Sequence, residues 1–145
     1  MITFNLSKLI YFLILSRFIY SIDTLENLSD LKWKYRILII FDAQNEIYLK
    51  EKMNNISKYG QEIIARDLII FYENNENIYY NSILVPKPFK ESIMSLISQY
   101  KIDRKMILIG KDGEVKRVFS SSDQLYEVFN LIDTMPMRKI EMRRE

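Results

Sequence analysis
Three short apolar runs constrain this chain more than anything else in it: RILIIF at 36 to 41, DLIIFYE at 67 to 73 and KMILIG at 105 to 110. None of them alternates apolar with polar residues, and that continuity is how a strand covered on both faces reads. A sheet built from them needs a packed layer on each side, and the intervening segments supply the layers. Leu49, Met53 and Ile56 fall at helical spacing behind Asn45, a residue suited to capping. They predict a helix from about 45 to 59, ended or kinked by Gly60. After the stiff VPKPF entry, Phe89, Ile93, Leu96, Ile97 and Tyr100 line one face of a second helix. Ser121 to Gln124 offers a capping box for a last helix reaching Thr134.

Two smaller features complete the order. Lys111, Asp112 and Gly113 form a hairpin turn, because Asp-Gly tolerates the positive φ angles of a tight loop, and EVKRVF at 114 to 119 returns antiparallel. Tyr79 and Tyr80 read as a short edge segment after the ENNEN break. The order β-α-β, then α, then β-β-α is α/β. A right-handed crossover makes the first two strands parallel and the hairpin adds an antiparallel edge. The expected architecture is a three-layer sandwich of thioredoxin-like arrangement, a small mixed sheet with helices on both faces.

Composition decides what chemistry such a fold can carry. The 145 residues are 48% hydrophobic with three Gly and three Pro, enough for one domain with a substantial core, and they include no Cys and no His. Absence of sulfur nucleophiles excludes disulfides, thiol redox chemistry and thiolate metal sites. Absence of His removes His-based triads and the commonest transition-metal ligand. Asp103, Asp123 and Asp133 lack the spacing of a calcium loop, so no metal and no cofactor is expected.

Lys8 precedes LIYFLILSRFIYS, an apolar run shorter than the roughly 20 residues that span a bilayer. Charge, apolar stretch and the small Ser21 fit a secretory signal cleaved after Ser21, with Ile22 as the new first residue. Arg17 weakens that signal; an uncleaved membrane anchor and an ordinary first element are the alternatives. The expected organisation is a signal at 1–21, a lead-in at 22–35, the domain at 36–135 and a Met/Arg-rich tail at 136–145. The expected address is periplasmic or secreted. Full length carries 21 basic against 19 acidic residues. Removing 1–21 deletes Lys8 and Arg17 and no acid, leaving 19 of each. A neutral mature chain argues against nucleic-acid binding, which needs excess cations. Membrane contact is expected only if the first segment is retained.

WKYRILIIF at 33 to 41, RDLIIFYE at 66 to 73, ILIGKDGEVKRV at 107 to 118 and LYEVFNLIDTMPMRKIEMR at 125 to 143 carry more than topology. Together they resemble the bacterial family known as domain of unknown function 4174, over about residues 31 to 143. The LIGKDG turn and the IDTMPMR ending are its most specific parts. The resemblance implies a thioredoxin-like or peroxiredoxin-like fold, usually exported, related to domains of animal sushi-repeat-containing matrix proteins. It brings no established activity and no catalytic residues. Lys139 and Ile140 depart from the ending the family leads one to expect, a second Arg and a polar residue.

The candidate contact residues follow from position. In redox-active thioredoxin folds the thiol sits after the first central strand, where this chain has Asp42, Gln44 and Asn45. These residues either cap the next helix or line a polar ligand pocket at its N-terminus. Arg66 and Asp67 open the second strand, as local strand-end charges or as a buried ion pair. Arg104 precedes the third strand as an anion contact or an exposed charge. Pro136 cannot continue the last helix, so Arg138, Lys139, Arg143 and Arg144 are expected on a mobile basic tail, with Glu141 and Glu145 as partial neutralisers. That tail is either solvated or a strip for a partner protein, an acidic polymer or anionic lipid headgroups. The expected function is a non-catalytic domain binding a protein or a small, anionic ligand. The alternative is a thiol-independent enzyme, with Asp42 or Asp67 as acid/base and Arg104 or Arg66 as anion contact.

Overall fold
A computed structural model describes residues 22–41, 46–99, 106–120 and 123–144, with the side chains of 46–49 excepted. A 3-10 turn, Leu28–Leu31, leads into β1, Arg36–Phe41. Then come α1 (Glu46–Lys58), α2 (Gly60–Ala65), β2 (Leu68–Asn74), β3 (Asn77–Tyr80) and β4 (Ile83–Leu84). The chain continues as α3 (Lys87–Ser98), β5 (Met106–Ile109), β6 (Val115–Phe119), α4 (Leu125–Thr134) and α5 (Pro136–Met142). The six strands form one sheet in the order β4-β3-β2-β1-β5-β6. β1 is central, parallel to β2 and antiparallel to β5.

The pleat of β1 divides the core. Ile37, Ile39 and Phe41 point to one face, where they pack with Phe89, Ile93 and Ile97 of α3 and with Ile22, Leu25 and Leu31 of the lead-in. Leu38 and Ile40 point to the other, against Ile63 of α2 and Leu125, Val128, Phe129 and Ile132 of α4. Every residue of β1 is buried, as its unbroken apolar run requires. Each fully buried Ile contributes about 1.5–3 kcal/mol relative to exposure. The mixed α/β sheet with a layer on each face is therefore the architecture the apolar runs demanded.

Five details go beyond the sequence expectation or against it. The Tyr79–Tyr80 segment is not an edge, because β4 pairs outside β3. The helix ends just before Gly60, as expected, but Gly60 then begins α2, a separate short helix that was not expected. The capping box of α4 is Gln124 with Glu127, whose side chain accepts from the Gln124 N–H at 2.7 Å. The tail is the largest correction. Residues Pro136–Met142 are helical, and Arg138, expected in solvent, is buried. The lead-in is likewise part of the core, since Ile22 is 1% exposed.

Candidate functional site
Topology brings three charges to one end of the sheet. Arg36 begins β1, Asp67 immediately precedes the parallel β2, and Lys111 lies just past the end of the antiparallel β5. Each sits next to an apolar strand that fixes it in place. Arg36 is fully buried, and its guanidinium donates to the Arg66 carbonyl at 2.8 Å and meets Glu141 of α5 at 3.1 Å. Lys111 Nζ donates to Asp67 at 2.7 Å and to Glu141 at 2.8 Å. Glu141 therefore takes two cations from the sheet, and that is what seats α5. The Arg36 Nε has no hydrogen-bond partner among the described residues.

A second knot lies beside the first. Arg66 donates to both carboxylate oxygens of Asp133 on α4, at 3.0 and 2.6 Å, and to Glu62 on α2 at 2.7 Å. It also lies over the Phe129 ring, 4.9 Å from the centroid. Arg138 completes the link, 3.5 Å from Asp133 and 3.8 Å from Glu141. Burial works to raise the Glu141 carboxyl, but the Lys111 hydrogen bond and the charges of Arg36 and Lys111 outweigh it, so its pKa lies below the ordinary range. Burial likewise opposes the Arg66 charge, and the Asp133 and Glu62 bonds overcome it, raising its pKa. Both shifts favour the charged forms of Glu141 and Arg66.

On the α3 face, above the same end of β1, runs a groove of about 590 Å³ between the 27–35 segment and α3. Its apolar wall includes Leu28, Leu31, Tyr35, Ile37, Leu96 and Ile109. Asn27, Ser92, Ser95 and Gln99 add hydrogen-bonding groups, with Glu91 and Lys32 as charges on opposite walls. The two walls are tied together at one point: the Leu28 N–H donates to Ser92 Oγ at 3.0 Å, and Ser92 donates to the Phe89 carbonyl at 2.7 Å.

Of the residues singled out from sequence, Arg66, Asp67 and Arg138 meet in the charged cluster, while Lys139 lies on the exposed side of α5. Arg66 and Asp67 do not pair with each other: Arg66 binds Asp133 of α4 and Glu62 of α2, and Asp67 binds Lys111 of the hairpin turn. Asp42, Gln44, Asn45 and Arg104 lie outside the described residues. Sequence reasoning missed Arg36, Lys111 and Glu141 as a unit. Part of the signal was present, since Arg36, Asp67 and Lys111 each lie next to an apolar run and share one end of the sheet once strand directions are assigned, but nothing in the pattern placed Glu141 with them. Among the described residues no cluster of His, Cys, Asp or Glu could hold a metal ion, and no helix is long and apolar enough to cross a membrane.

Fold and site together define a cysteine-free α/β sandwich with a charge-locked end and a ligand-sized groove beside it. The chain belongs to the family described as Domain of unknown function (DUF4174), whose model matches residues 27–141, from the cap of the 3-10 turn through Glu141. No curated protein and no solved structure matches it.

Proposed function
We propose that this protein is an exported, non-catalytic domain of thioredoxin-like fold that binds a small molecule in the groove between residues 27–35 and α3. The observation that carries the reading is the groove itself. Its volume, about 590 Å³, lies within the roughly 300–1,000 Å³ of small-molecule sites, and its apolar wall with a few convergent polar groups is their usual make-up. A ligand with an apolar body and one or two hydrogen-bonding ends suits Tyr35, Leu96, Ser95 and Gln99. The thioredoxin-like assignment rests on the β-α-β order and the resemblance, which also suggests kinship with animal matrix domains. Export rests on Lys8, the apolar run and Ser21. Ile22, the first residue after that cleavage, is already in the core, which suits a domain that begins there.

The alternative of a thiol-independent enzyme needs a carboxylate that titrates near the working pH. Arg66 does meet a carboxylate, but Asp133 is an internal partner, and the depressed pKa of Glu141 suits a clamp and not a proton carrier. The uncharged dye N-phenylnaphthylamine tests the binding reading. Its emission should rise saturably with one site per chain, and Ser95→Phe, which fills the groove from the surface of α3, should weaken binding about tenfold without lowering the unfolding midpoint. Unchanged affinity in that variant would remove the groove from the account.

A further inference from the structure
The charge-locked end of the sheet also has an outer surface, and its composition differs from that of the groove. Lys32, Trp33 and Lys34 form an exposed tip between the 3-10 turn and β1, with Trp33 64% exposed. Trp33 is held there at φ 64°, a left-handed conformation that bulky residues rarely adopt and glycine adopts freely. Its N–H donates to the Lys111 carbonyl at 2.7 Å, and the Lys32 stem lies across Gly113. The tip is thus tied to the turn whose lysine grips Glu141 on α5. Helix α5 presents Met137, Ile140 and Met142 to solvent at the same end.

The charges are sorted as well. Most acids described at this end are engaged: Glu141 and Asp67 with Lys111, Asp133 and Glu62 with Arg66, Asp112 and Glu114 with Lys116, while Glu26 is exposed beside the groove. Asp30 accepts from the backbone N–H groups of Glu26 and Asn27. Exposed Lys139, Arg143 and Arg144 have no ion-pair partner among the described residues. Exposed tryptophan and aliphatic groups set among uncompensated lysine and arginine suit the boundary of an anionic bilayer, where indole sits at headgroup depth and cations meet phosphate.

We propose that this end, formed by the Lys32–Lys34 tip and α5, docks on an anionic phospholipid bilayer, with Trp33 entering the headgroup region. The proposal stands independently of the groove. Trp33 is the protein's single tryptophan, so its emission reports the environment of this tip, and the α5 charge variants separate docking by this end from any effect of residues 1–21. The full chain is mixed with phosphatidylcholine vesicles with and without phosphatidylglycerol, some carrying brominated acyl chains. With phosphatidylglycerol the emission should shift to the blue and be quenched by the brominated lipid, and both effects should fade as salt is raised. Lys139→Glu with Arg143→Glu should weaken vesicle binding about tenfold. Trp33→Gly, followed by co-sedimentation against the wild type, should weaken it while leaving the unfolding midpoint unchanged or higher, because glycine relieves the positive φ. Emission that stays at its water-exposed position, insertion indifferent to lipid charge, or a tryptophan shift with a soluble acidic protein but not with vesicles would each overturn the proposal.

Discussion
Arg36 is the residue on which the charged end turns. A buried guanidinium is costly unless it is paired, and its carboxylate partner Glu141 is contributed from 105 positions along the chain. Removing that partner leaves the buried Arg36 with the Arg66 carbonyl alone and Lys111 with Asp67 alone. Glu141→Gln should therefore destabilise the domain by about 3 kcal/mol at neutral pH, read from urea unfolding. The acid dependence follows from the direction of the Glu141 shift. Its folded pKa lies below the ordinary value of 4.5, so its contribution is complete above that value and is lost as pH falls through the folded one. The variant should lose less stability than the wild type across that acid range; parallel curves would deny Glu141 the role. At this scale the sequence was only partly readable. Arg66 and Asp67 stood out beside a strand, but Arg36 looked like the border of an apolar run, and its burial depends on a helix that had not been foreseen.

That helix shows why elements are harder to read at their junctions than in their middles. Pro136 stops α4, as the ring requires, yet proline also fits the first turn of a new helix, where its missing N–H is not needed. Met135 turns the chain between the two with extended angles, φ −68° and ψ 139°. The stop was legible and the restart was not, because the seven-residue α5 is too short to show an apolar stripe and is held by tertiary ion pairs. The helices α3 and α4 had no such ambiguity, since their spacing alone defines a buried face, and the unbroken run of β1 marks a strand covered on both. Ending the chain at Met135 should remove the Glu141 clamp and lower the thermal midpoint by about 10 °C. An unchanged midpoint by circular dichroism would mean that α5 is an appendage and not part of the folded unit.

For the whole molecule, the unbroken strands dictated two covering layers, and the strand order then decided which chain segments became neighbours. One end of the central strands holds a locked set of charges, and beside it the lead-in and α3 border a groove. That groove could not be read from the sequence, because Asn27, Ser92, Ser95 and Gln99 are ordinary polar surface residues until the fold sets the 27–35 segment against α3. The reading of this protein as a binding domain rests on that space. Backbone amide chemical-shift mapping during titration with N-phenylnaphthylamine tests it most directly. Shifts concentrated at Asn27–Tyr35, Glu91–Gln99 and Ile109–Gly113 are the predicted result. Shifts concentrated instead around Glu46–Lys52, at the other end of β1, would contradict the account and place binding where a thioredoxin-type cleft would have it.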